Sequence, residues 1–214
     1  MIGLLYLASP TLPIGSFAYS QGLEKVIETE RVSDRESLRA WCFDYIRLGL
    51  CQLDIPLLSK LYHALENEDQ SEFEDLNELV FASRETSELY SEELNLGQSL
   101  RRLIRTQDAI TSLPVAMPSK PSFLAAYAYA AKGLGLSIDE LKVAFLWSWL
   151  ENQAAVACKA IPLGQTDAQS ILLESRELIE RSISAGEGEV YGSLPGQVIF
   201  SALHETQYSR LFRS

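Results

Sequence analysis

Apolar positions recur three and four apart along almost the whole chain, the spacing that places them on one face of a helix. Leu38, Trp41, Cys42, Tyr45, Ile46 and Gly49 form one such stripe, behind Ser33-Asp34-Arg35-Glu36, a Ser-x-x-Glu helix start. Asp54 and Pro56 precede a second, Leu57, Leu58, Leu61 and Leu65. Asp69-Gln70-Ser71-Glu72 opens a third, through Phe73, Leu76, Leu79 and Val80, which continues after a break towards Leu103. Residues 111–121 hold Pro114, Pro118 and Pro121 and read as a connection. Ser137-Ile138-Asp139-Glu140 starts the most apolar helix, and Thr166-Asp167-Ala168-Gln169 the next, whose face is Ile171, Leu172, Leu178, Ile179 and Ile183. No run alternates with period two for long enough to predict a strand. The pattern predicts an all-α fold, a single compact helical domain of about seven to ten helices over 1–185. A glycine-rich connector follows at 186–196, then a tail at 197–214.

The length of 214 residues suits one domain, and 47% apolar residues exclude disorder over most of it. Eighteen Lys and Arg against 29 Asp and Glu give a net charge of −11. That field disfavours nucleic acid and anionic membranes as partners. Lys142, Glu151 and Lys159 interrupt the stretch from Leu141 to Ile161, which argues for a buried helix over a membrane span. Cys42, Cys51 and Cys158 form no CxxC pair and read as reduced thiols of a cytoplasmic protein. No Lys or Arg precedes Lys25, so the charged start of a signal peptide is missing.

Reaction chemistry is scarce. Two histidines, His63 and His204, are too few for a catalytic metal site in one chain. His204-Glu205-Thr206-Gln207-Tyr208 begins like a zinc-protease signature but has Tyr at the second ligand position, so a packed or solvent-facing His204 is the simpler reading. His63 reads as a core-edge residue. There is no Gly-x-Ser-x-Gly elbow and no phosphate-binding loop, and Glu187 and Glu189 would repel a phosphate from the glycine-rich stretch. The chain predicts no catalytic residue, cofactor or metal of its own. The end of the chain is different: Tyr208, Leu211 and Phe212 flanked by Arg210 and Arg213 are the residue types of interface hot spots. Burying three such side chains returns less than the entropy of ordering the last ten residues. The tail is therefore expected to be flexible in the free protein and ordered on a partner, the alternative being a final helix docked on its own core. Lys159 closes the most apolar helix, where it suits either the helix dipole or an anionic partner group.

Four places carry a resemblance to a known family. Residues 7–24, LASPTLPIGSFAYSQGLE, resemble the opening motif of the urease accessory protein UreF family. Arg84-Glu85-Thr86-Ser87-Glu88-Leu89 resembles a helix segment of that family more weakly, residues 155–167 resemble its motif ending in PLGQTD, and residues 204–214 its C-terminus. Ser16 and Ala18 stand at variable small positions, and Ala168 replaces a frequent Gly. The resemblance implies an all-helical homodimer that helps insert nickel into apo-urease with UreD (also called UreH) and the GTPase UreG, the nickel and GTP being handled by those partners. It implies Tyr208, Ser209, Arg210, Leu211, Phe212 and Arg213 as UreD-facing residues. Pro13, Gly15, Tyr19, Gln21, Gly22 and Glu24, with Lys159, are implied on the UreG-side or dimer surface. Two alternatives stand beside it: a small helical enzyme using Tyr19, Glu24 and Lys159, and a free-standing nickel carrier.

Overall fold

Local capping chemistry sets the helix starts in the computed structural model, which describes residues 1–185, 190–192 and 194–214. Asp69 accepts from the Glu72 N–H to open α5 (Gln70–Ala82), as its spacing predicts. Ser137 and Glu140 cap each other to open α8 (Ile138–Ala160). The remaining helices are α1 (Ile2–Leu7), α2 (Leu23–Glu28), α3 (Arg35–Tyr45), α4 (Asp54–Glu66), α6 (Ser87–Ile104), α7 (Phe123–Gly133), α9 (Gln165–Glu174), α10 (Arg176–Ala185) and α11 (Pro195–Glu205). Nine of these eleven helices are ten residues or longer, and no strand occurs among the described residues.

Three expectations shift in detail. The cap of α3 is Asp34, paired reciprocally with Ser37, in place of Ser33 with Glu36. The helix expected at Thr166 begins at Gln165, after Gly164. Its apolar face is split between α9 and α10 at buried Ser175, whose N–H closes the last turn of α9 on Ile171 and Leu172. Of the connector, residues 186–189 and 193 lie outside the described residues, and α11 takes its last two positions with Pro195 at its start.

Helix α7 is the central rod. Its residues Leu124–Ala131 are all buried, and the alanines among them let α4, α5 and α6 approach closely. Among the described glycines, Gly97 on α6 makes the closest approach, since a Cβ there would lie 2.1 Å from the carbonyl oxygen of Pro121, just before α7. Helix α8 is apolar on nearly every side and runs across the second layer against α1, α2, α9 and α10. Its buried Lys142 donates to the Ile183 carbonyl near the end of α10, where a cation meets the negative end of the dipole. No helix is long and apolar enough to cross a membrane among the described residues. Helix α11 lies over α2 and α6 and delivers the tail to the body of the protein.

Candidate functional site

The site is built where the first 24 residues turn back on themselves. Gln21 and Gly22 both have positive φ, 54° and 87°. At Gly22 the backbone also lies against α11, with a Cβ position 3.1 Å from the Ser201 nitrogen, so that only glycine fits without strain. This turn aims Gln21 inward. Its amide donates to Glu92 on α6 at 2.7 Å, and its oxygen accepts from the Trp149 indole on α8 at 2.7 Å and from Tyr45 on α3. One more turn on, Glu24 is buried with both carboxylate oxygens engaged. They accept from the backbone N–H groups of Leu211 at 2.7 Å and Phe212 at 2.9 Å, and one faces His204 Nε2 at 3.1 Å.

The tail is thus docked on its own protein, contrary to the flexible segment expected from its apolar content. Of its three large side chains only Phe212 is buried, while Tyr208 and Leu211 point to solvent. Polar anchors hold it instead. The Arg213 N–H donates to the Ala18 carbonyl at 2.7 Å, the Ser20 N–H and hydroxyl donate to the Ser214 carbonyl, and the Ser214 hydroxyl donates to Glu92 at 2.8 Å. Arg210 pairs with Glu88 at 2.8 Å. Hydrogen bonds to charged groups are worth about 1.5–3 kcal/mol each, which an apolar account leaves out.

His204 is fully buried between two carboxylates, with Nδ1 2.8 Å from Glu88 and Nε2 3.1 Å from Glu24. Its neighbour Glu205 accepts from the Ser87 N–H and hydroxyl and from the Glu88 N–H, an anion on the N-terminus of α6. The Ser87 hydroxyl holds the Glu205 carboxyl below its usual range. Burial pushes Glu92 up to about 7, against the opposing hydrogen bonds from Gln21 and Ser214. Lys159 is exposed, its ammonium 5.7 Å from the Phe212 ring centre and 6.0 Å from that of Phe17. Asn152, also on α8, donates to the Tyr19 carbonyl.

All four motif segments therefore meet at one place. The structure puts Tyr208, Ser209, Arg210, Leu211, Arg213, Lys159 and Pro13 on the outside, with Gly15 partly covered. It puts Tyr19, Gly22, Glu24 and Phe212 inside, and Gln21 aimed inward, so these five hold the tail and the opening loop together rather than line a free surface. Sequence reasoning missed His204 and Glu88 as the tail's fasteners. It also misplaced His63, which is exposed and pairs with Glu66.

Beneath this knot lies a cavity of about 110 Å³ whose lining includes Gln21, Asp54, Arg84, Glu92 and Glu93. Arg84 bridges Asp54 at 2.7 Å and Glu93 at 2.8 Å, and the other oxygen of Glu93 accepts from the Leu124 N–H at the start of α7. Among the described residues, no three His, Cys, Asp or Glu side chains are grouped so as to hold a metal ion. Burial pushes all three cysteine thiols up, away from the thiolate that nucleophilic or ligating chemistry needs.

The UreF family model matches residues 32–176. Relatives spanning the whole chain include the urease accessory protein UreF of Chromohalobacter salexigens, 42% identical and covered over 94% of its length. Those of Marinobacter nauticus, at 39% and 94%, and of an Azoarcus species, at 41% and 95%, are also full-length matches to this chain.

Proposed function

The chain belongs to the UreF family of urease accessory proteins, and from that premise we propose that it is a non-catalytic chaperone of urease maturation acting through the surface around its docked tail. The observation that carries this reading is the convergence of the four motif segments on one knot. A protein that works by contact concentrates its distinctive residues where a surface must be shaped, and here they shape the tail and its bed.

In this reading UreD is met by the outward side of the tail. Tyr208 and Leu211 stand bare beside Arg210 and Arg213, and Ile199 and Leu203 continue the apolar strip along the exposed side of α11. Lys159, Pro13 and Gly15 at the neighbouring edge serve UreG or a second copy of the chain in a homodimer. The complex acts on apo-urease in the cytoplasm, with nickel and GTP carried by the partners. The interior residues Tyr19, Gln21, Gly22, Glu24 and Phe212 act by holding that surface in shape. Glu24, with its oxygens already engaged by three neighbours, is poorly suited to the acid–base role an enzyme would ask of it.

The test is a Tyr208→Ala/Leu211→Ala variant co-expressed with UreD. Both side chains are solvent-exposed, so the melting temperature stays within about 2 °C of the parent while co-purification is lost. Co-purification at the parent level overturns the assignment.

A further inference from the structure

Both ring nitrogens of His204 face carboxylate oxygens within hydrogen-bond distance, Glu88 on one side and Glu24 on the other, with no solvent access. A neutral imidazole has one N–H and one lone pair. In that form one nitrogen would turn its lone pair on a carboxylate oxygen about 3 Å away, a repulsive contact in a low-dielectric interior. An imidazolium donates from both nitrogens and satisfies both. Charge counting agrees. Glu24 and Glu88 contribute two negative charges to the buried cluster, and Arg210 supplies one positive charge. The protonated ring supplies the second.

We propose that His204 is a proton-held clasp: its imidazolium fixes Glu24 and Glu88 in the positions from which they grip the tail, and loss of that proton loosens residues 208–214. The same Glu24 oxygen that faces His204 Nε2 accepts from the Phe212 N–H, and the same Glu88 carboxylate holds Arg210. Without the ring's charge, two carboxylates share one guanidinium, and the excess anion is relieved by turning out to water. Turning Glu24 out breaks its bonds to Leu211 and Phe212.

The other charged and titratable groups around the clasp are accounted for. Helix α2 contributes Glu24. Helix α6 contributes Glu88 and, at the far end of the tail, Glu92 with Ser214. Glu205 on α11 itself is turned to the N-terminus of α6. From the tail come Arg210 and Arg213, from the opening loop Tyr19, and from α8 Lys159 over Phe212. The sign follows from the geometry. The docked geometry favours the charged ring, so the tail is held while both ring nitrogens carry protons and is released when one of them is lost.

The experiment uses the full chain in a His63→Gln background, which leaves a single histidine, and reads its ring nitrogens by ¹⁵N NMR between about pH 6 and pH 9. At the acid end both nitrogens carry protons. As one is lost, the amide protection factors of Leu211 and Phe212 fall by about tenfold to a hundredfold, the equivalent of one hydrogen bond to a charged group, while those of α7 hold. His204→Gln, which keeps polarity without charge, gives the low tail protection at every pH. Repeating the titration in Glu92→Gln separates the clasp from the carboxyl at the tail's other end. A ring with one bare nitrogen while the two tail amides stay protected overturns the proposal. So does tail protection that fails to follow the ring's proton.

Discussion

Replacing Arg84 with Met removes the only cation from a buried triad. Its guanidinium lies between Asp54 and Glu93, and the three side chains are 12%, 10% and 7% exposed. The methionine fills most of the volume, so the loss is electrostatic: two carboxylates remain close together in the interior with nothing to balance them. Breaking such a buried pair costs about 3–5 kcal/mol. For a chain of this size that lowers the melting temperature by roughly 6–20 °C. Adding Asp54→Asn and Glu93→Gln recovers most of the loss at neutral pH, since the glutamine oxygen can still accept from the Leu124 N–H that Glu93 holds at 3.0 Å. Thermal melts of the single and triple variants at neutral pH are the assay. A single variant that melts within about 2 °C of the parent, or a triple variant no better than the single, refutes the claim that this triad is held by charge balance.

Three further outcomes are expected. Gly97→Ala has a better helix former but no room, its methyl meeting the Pro121 carbonyl, so the net effect is a loss of at least about 1–3 kcal/mol in chemical denaturation. Glu92, raised to about 7 by burial from an ordinary 4.5, is protonated in the folded state where the unfolded chain is ionised. Its contribution to stability is complete below 4.5 and is lost as the pH rises through about 7, and urea midpoints across that window flatten in Glu92→Gln. Lys159→Ala removes an exposed ammonium from its contacts with Phe17 and the buried Phe212, worth about 0.5–1 kcal/mol, so melting hardly changes. Urease activation in cells carrying the accessory set falls in the same variant, and unchanged activation would take Lys159 out of the partner surface.

What could be read from the chain was what depends on near neighbours. The caps at Asp69 and Ser137 are four-residue chemistry and stand where their spacing puts them. Ser33 and Asp34 are both competent acceptors, so the start of α3 was legible only to within one residue. The break at Ser175 left no mark because the apolar face runs on across it. The knot around the tail was hidden for another reason. Its acceptors, Glu24 and Glu88, lie over a hundred positions from the groups they bind. His204 looked isolated because neither of its partners is near it in sequence. The segments themselves were visible as motifs, but that they form one object was not.

The geometry of that object bears on how a partner would use it. Along the tail, Tyr208, Ser209, Arg210, Leu211 and Arg213 face solvent, while Phe212 and Ser214 and the backbone N–H groups of Leu211, Phe212 and Arg213 face the body. The inward groups and Arg210, through its pair with Glu88, do the anchoring, and the other outward side chains take no part in it, so a partner of the proposed kind can bind without first detaching the segment. The ordering entropy is then met within the chain before association, which leaves more of the contact energy to appear as affinity. A tail anchored mainly by apolar burial could not divide its labour this way, because the side chains that hold it down would be the same ones a partner needs. Anchoring through backbone N–H groups on a buried carboxylate keeps Tyr208 and Leu211 exposed.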